Sequence, residues 1–210
     1  GGIGILNLAT GGLFTADRVK SFKVPDDSGD HVAYLLEGPE KQADEEKDRE
    51  RKADAAKKRK EKEKDPGTDL IVRVLASGTQ ATIADVVEYT WAKDGSWLAF
   101  ATSATAKSPE KDGAFARRSA DGTTKTLLSG LGHYKGLAFD EKGTQLAFLS
   151  DRDTYKDNPA TFKLYHWAAG AEAATELAAA STPGMPAGMV VSEVGRLDFS
   201  KDGARLFLGY

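Results

Sequence analysis

One short phrase occurs three times and limits what this chain can fold into. WAKDGSWLAF, from Trp91 to Phe100, returns as LAFDEKGTQLAF (Leu137 to Phe148) and as LDFSKDGARLFL (Leu197 to Leu208). Each copy reads as a strand, a tight turn on charged residues and a glycine, and a second strand, with apolar residues alternating on both sides. The turn glycines Gly95, Gly143 and Gly203 are spaced 48 and 60 residues apart. A unit of roughly 40–50 residues, lengthened by loops, points to a β-propeller of four-stranded antiparallel blades.

The expectation is therefore an all-β fold with about three and a half blades present. Residues 1–18 would end a preceding blade, and 19–86 would form a blade interrupted by a charged insertion at 40–65. Residues 87–132 and 133–188 would form two more, and 189–210 the start of a truncated one. A parallel-sheet enzyme would need amphipathic crossover helices, and no segment outside the insertion supplies one. A two-sheet sandwich also uses short strands and regular turns, but it has no need of like units. Within a blade, Trp97, Ala99 and Ala101 are expected to face one neighbour, and Leu98 and Phe100 the other. One blade cannot bury both faces alone, so further blades or a partner are expected to cover the ends of this arc.

Charge and composition narrow the partners. A net charge of −3 over 210 residues gives no overall attraction to nucleic acid or an anionic membrane. No apolar run is long enough for a transmembrane helix. The absence of cysteine excludes disulfides and thiolate metal sites. No leader pattern precedes GGIGILN, and both ends read as cut from a longer protein. GGIGILN lacks the full glycine pattern of a nucleotide loop and reads as a strand with turns.

The stretch from Glu40 to Asp65 differs in kind. Of its 26 residues, 10 are acidic and 11 basic, and its few apolar residues are alanines. No apolar stripe exists to bury against a core, so a solvated, partly helical or mobile insertion between two strands is expected. The interleaved acids cancel the field that a nucleic-acid arm would need.

Candidate chemistry is sparse. The three histidines are His31, His133 and His166, and their spacing fits no known metal motif. Ser129, His133 and Asp140 include the residue types of a hydrolytic triad, but no nucleophile elbow accompanies them. Asp151, Asp153 and Asp157 form an acidic loop whose expected state is solvated, with oxygen ligation of a cation as the alternative. Trp91, Trp97 and Trp167 are expected to pack between blades, the alternative being a peptide-lining role. Arg117 and Arg118 alternate across a strand, and ordinary salt bridging is expected before a substrate carboxylate contact. This reading assigns no catalytic, cofactor-binding or metal-binding residue to the segment, and it leaves substrate-binding residues open.

WAKDGSWLAF, FDEKGTQLAFLSDRD and FSKDGARLFL resemble the blade phrase of propeller domains in the prolyl oligopeptidase family. VKSFKV, then HVAYLLEG, a lysine- and glutamate-rich insert and GTDLIVRVLASG resembles the amino-terminal propeller of large, often exported bacterial members. The resemblance implies a propeller that caps an α/β-hydrolase domain with a serine–aspartate–histidine triad and admits peptides rather than folded proteins. The chain itself lacks Gly-x-Ser-x-Gly, so the chemistry would lie in a missing domain. Some exopeptidase members hold the peptide amino terminus with propeller glutamates. Glu37, Glu88 and Glu193 do not carry the flanking motif and are not given that role. The expected function is a non-catalytic part of a serine peptidase that gates and orients peptides, and the expected partners are the missing blades, the hydrolase domain and a peptide substrate. The resemblance favours a periplasmic or secreted location and leaves a cytoplasmic one open. The rival readings are a stand-alone propeller scaffold for a protein or peptide and a polymer-processing propeller.

Overall fold

The computed structural model describes residues 1–38, 64, 66–104 and 108–210. The insertion expected at 40–65 therefore lies outside the described residues except for Lys64. The regular structure of the rest is strand, apart from one short 3₁₀ segment at Pro109–Lys111. The strands are β1 (Gly2–Leu6), β2 (Leu13–Asp17), β3 (Val19–Lys23), β4 (His31–Leu36), β5 (Thr68–Val74), β6 (Gln80–Trp91), β7 (Trp97–Thr102) and β8 (Gly113–Arg118). They continue as β9 (Thr124–Ser129), β10 (Tyr134–Phe139), β11 (Gln145–Ser150), β12 (Lys163–Ala168), β13 (Thr175–Ala178), β14 (Asp198–Phe199) and β15 (Leu206–Phe207). Neighbours in sequence pair antiparallel in every described sheet. The architecture is an open, partial β-propeller.

One sheet holds seven strands in the order β3 to β9. It is two four-stranded blades sharing one long strand. The first half of β6 pairs with β5 from Gln80 to Val86, and the second half pairs with β7 from Val86 to Trp91. Asp85, between the halves, has a φ of 60°. That left-handed conformation is uncommon for a side-chain-bearing residue. Here it lets the outermost strand of one blade turn into the innermost strand of the next. Arg18, between β2 and β3, repeats the device with a φ of 56°. The carbonyls at both crossings accept an N–H from the residue after the following blade's second strand: Glu37 to Arg18 at 2.7 Å and Ser103 to Asp85 at 2.8 Å.

Four apolar seams hold the blades together, and each draws residues from two neighbours. Ala99, Ala101, Ala114 and Ala116 pack against Leu146, Phe148, Tyr165 and Trp167 of the β10–β13 blade. Leu98 and Phe100 face the other way, onto Leu35, Leu70 and Val72. The strand alternation expected from WLAFATS is the one observed, with Trp97 packed beside the alanines. Small residues on one face allow the bulky rings of the next blade to approach. The remaining seams join β1–β2 to the first blade through Ile3, Val19 and Tyr34, and β10–β13 to the last hairpin through Leu149, Val191 and Leu197.

The turns fall into two families with distinct hydrogen bonds. In the hairpins β6–β7, β10–β11 and β14–β15, the glycine N–H returns to the carbonyl three residues before it: Gly95 to Ala92, Gly143 to Asp140 and Gly203 to Ser200. These are the turns of the repeated phrase, and in the complete blades, at β6–β7 and β10–β11, they join the first and second strands. In the hairpins β1–β2, β5–β6 and β8–β9, the glycine returns to the carbonyl four residues before it: Gly11 to Asn7, Gly78 to Val74 and Gly122 to Arg118. In the complete blades, at β5–β6 and β8–β9, this turn joins the third and fourth strands. Both families lie along one edge of the blades, and the longer connections lie along the other.

Candidate functional site

The longer connections gather buried charge where the second and third complete blades meet. Asp112 precedes β8 and Asp151 follows β11, and both are almost wholly buried. Ala104 N–H donates to Asp112 Oδ1 at 2.8 Å, and Lys64 Nζ donates to Asp112 Oδ2. The Lys64 side chain is only 8 % exposed. A buried carboxylate with its own ammonium and a backbone N–H is compensated, whereas either charge alone would be costly. The ammonium also lies over the Tyr155 ring, 6.0 Å from its centroid.

Asp151 holds His133 at two points. The His133 backbone N–H donates to Oδ1 at 2.7 Å, and Nδ1 lies 2.9 Å from Oδ2. Tyr155 and Phe162 flank the imidazole at centroid distances of 5.3 and 6.5 Å. The acidic loop, expected to be solvated, is thus buried at Asp151. Asp151 is built into the seam because its chain neighbour Ser150 pairs with Tyr134, next to His133. Asp153 instead accepts from Lys163 Nζ at 2.9 Å, Arg152 Nε at 3.0 Å and Tyr165 Oη at 3.0 Å. The Lys163 hydrogen bond is the main cause that lowers the Asp153 carboxyl to about 2. Burial pushes the Tyr165 phenol up to about 12. Asp157 contributes its N–H to the Thr154 carbonyl. Among the described residues, no three His, Asp or Glu side chains converge as a metal site.

The imagined triad is not assembled. His133 is engaged by Asp151, the Ser129 carbonyl accepts from Arg152, and Asp140 belongs to a turn on the opposite edge. There Asp140 accepts N–H groups from Thr144 at 2.7 Å and Gln145 at 2.9 Å. His166 Nε2 lies 3.0 Å from Gln145 Oε1, and His31 lies 5.8 Å from the Trp91 ring. Trp97 meets Trp167 edge to face at 5.1 Å, and Trp167 is fully buried. Trp91 donates Nε1–H to the Lys23 carbonyl at 3.1 Å. All three tryptophans pack between blades. Arg117 closes its own hairpin onto the Gly122 carbonyl, and Arg118 pairs with Asp121.

The innermost strands are braced across the seams. Glu88 on β6 accepts both Gly136 N–H at 3.0 Å and Leu137 N–H at 2.8 Å from the bulge in β10. Lys135 Nζ pairs with Glu193 at 2.8 Å and lies over the Phe162 ring at 4.6 Å. A shallow hollow beside this pair is lined by Phe162, Met189, Val190 and Tyr210. Glu193 also lines it, so apolar surface and a paired carboxylate meet there.

No family model matches the chain, and no curated protein matches it. Among solved structures, it overlays the β-propeller domain of the Trilobed protease from Pyrococcus furiosus with a TM-score of 0.52 and 13% identity. That overlay covers 86% of this chain and 46% of the other. The acylaminoacyl peptidase of Pyrococcus horikoshii gives a TM-score of 0.39 at 14% identity, covering 63% of this chain and 17% of that one. TolB from Acinetobacter baumannii gives 0.40 at 15%, with 67% and 31% covered. The chain spans less than half the length of each of these. The first overlay establishes the fold, a partial propeller.

Proposed function

We propose that this chain is the propeller portion of a serine peptidase resembling the prolyl oligopeptidase family, where it gates and orients peptides for an α/β-hydrolase domain outside the segment. The observation that carries this reading is the overlay of 86% of the chain on the propeller of a protease. The repeated turn phrase adds to it. In this reading the blades span 19–86, 87–132 and 133–188, and the hydrolytic residues belong to the missing domain. Selection is by exclusion and positioning. In this reading the inner strands would form the wall of the passage, and the bonds of Glu88 and Lys135 to neighbouring blades would resist its widening. The hollow beside Phe162 and the Lys135–Glu193 pair offers an extended peptide both apolar and charged contacts.

The test is a fluorophosphonate probe for activated serines, applied to the parent protein and to this chain. The expected result is labelling of the parent, no labelling of the 210-residue chain, and parent cleavage of short peptides but not of folded proteins. An unlabelled parent that binds a peptide or protein without cleaving it would replace this reading with that of a propeller scaffold.

A further inference from the structure

Three seams present the same position to the next blade and fill it in three different ways. Main-chain hydrogen bonds fix which residues are equivalent. Asn7, Val74 and Arg118 each accept the N–H of the turn glycine four residues on. Two residues before them stand Ile5, Val72 and Ala116, and opposite these on the next strand stand Phe14, Ala81 and Lys125. Across the seam, the following blade offers Arg73, Arg117 and Trp167. These three are equivalent as well, since each sends a side-chain donor to a carbonyl of its own turn. Arg73 Nη1 donates to Gly78 at 2.9 Å, Arg117 Nη1 to Gly122, and Trp167 Nε1 to Ala171 at 3.0 Å.

In the first seam the Phe14 ring fills the space, with its centroid 3.8 Å from the guanidinium carbon of Arg73. In the third, Lys125 fills it and Nζ reaches the Ala171 carbonyl at 3.3 Å. In the second seam the equivalent residue is Ala81, whose side chain ends at Cβ. A cavity of about 80 Å³ remains there, lined by Ala81 and Arg117. Its floor is apolar, because Val72, Trp91 and Leu98 are buried. Its rim is polar and partly exposed at His31, Gln80 and Arg117. Among the described residues, no ring lies over the Arg117 guanidinium as Phe14 lies over that of Arg73.

We propose that this cavity is a binding site for a single aromatic ring, held against the Arg117 guanidinium as Phe14 is held against Arg73. The ligand class is a monocyclic aromatic molecule, of which phenol is the simplest soluble example. The repeat supplies the template, because one seam shows the ring in place and the next shows the space without it. The guanidinium attracts the electron-rich face of a ring, and a saturated ring of the same size offers no such face. The apolar floor favours a hydrocarbon body over water. A closed apolar cavity of about 150 Å³ takes a whole benzene molecule. This one is smaller but open at its rim, so a ring enters in part and leaves its polar substituent in solvent. This inference does not depend on the peptidase reading, and the serine-probe result leaves it untouched.

The test is a titration of the 210-residue chain with phenol and, in parallel, with cyclohexanol, followed by nuclear magnetic resonance. The chain has three tryptophans, so the indole N–H signals of Trp91, Trp97 and Trp167 report separate places. The expected result is a saturable shift of the Trp91 indole by phenol, with a midpoint on the order of 1 mM. The signals of Trp97 and Trp167 should stay in place, and cyclohexanol should cause no saturable shift. Arg117→Gln is expected to weaken phenol binding about fivefold. Ala81→Phe copies Phe14 and is expected to abolish phenol binding and to raise the melting temperature by about 2–6 °C. Equal shifts by phenol and cyclohexanol, no saturation at Trp91, or phenol binding retained in folded Ala81→Phe would each overturn the site. The two titrations of the unsubstituted chain decide the matter even where Ala81→Phe fails to fold.

Discussion

The carboxylate of Glu88 receives two consecutive backbone N–H groups, from Gly136 and Leu137, across the boundary between two blades. A carboxylate accepting two amides makes charge-assisted hydrogen bonds, and the amides lie at a strand bulge. Removing it leaves both donors without their partner. Glu88→Ala is expected to cost about 2–3 kcal/mol and Glu88→Gln about 1 kcal/mol in urea unfolding. A cost near zero for both variants would show that water replaces the brace.

The pair Lys64–Asp112 leads to a sharper asymmetry. Lys64→Met leaves a buried carboxylate without its cation and is expected to destabilise by about 3–5 kcal/mol. Adding Asp112→Asn to Lys64→Met removes the stranded charge and should recover part of that loss. A double-mutant cycle by chemical denaturation measures the recovery, and strict additivity of the two changes would contradict a direct ion pair.

Turn glycines separate backbone strain from crowding. A Cβ on Gly143 would lie 2.9 Å from the Ala92 Cβ of the neighbouring blade's turn, at a φ of 66°. A Cβ on Gly11 would meet nothing within 4 Å, at a φ of 72°. Gly11→Ala should cost about 1 kcal/mol, from the left-handed conformation alone. Gly143→Ala should cost about 2–4 kcal/mol, because overpacking is added. Equal melting temperatures for the two variants would remove the stacking of turns as a stabilising feature.

Asp153 gives a pH signature. Its carboxyl is held near 2, below the ordinary value of 3.8, chiefly by Lys163. Its contribution is therefore fully present above that ordinary value and is lost as pH falls from there toward 2. After allowance for solvent screening at a partly exposed site, it amounts to about 1 kcal/mol. The stability gap between the parent chain and Asp153→Asn should shrink across that acidic window and stay level from pH 5 to 8. A gap that is flat throughout would show that the pair contributes nothing.

The propeller was legible because its information is local and repeated. Trp97 to Ala101 shows its alternation in five consecutive letters, and Gly95, Gly143 and Gly203 mark equivalent turns. The seams then follow from geometry, as Ala99 and Leu98 on opposite faces show. The loop-edge cluster was not legible. Lys64 reaches Asp112 across 48 positions, and His133 meets Asp151 across 18, with no spacing that announces either pair. Asp151 looked like one acid among three in a polar loop, and only the pairing of Ser150 with Tyr134 reveals its burial. The equivalence of the β1–β2 turn to later hairpins could have been sought in sequence. NLATGG and ASGTQ share too few residues to declare it, because the likeness lies in main-chain hydrogen bonds.

The shared strand β6 means that the first two complete blades are not separable parts. A boundary placed at Asp85, where one repeat gives way to the next, would sever a continuous twelve-residue strand and strip an edge from each side. Shuffling or grafting these blades thus has to move them as a pair. The β10–β13 sheet has its own four strands and is the natural unit for exchange.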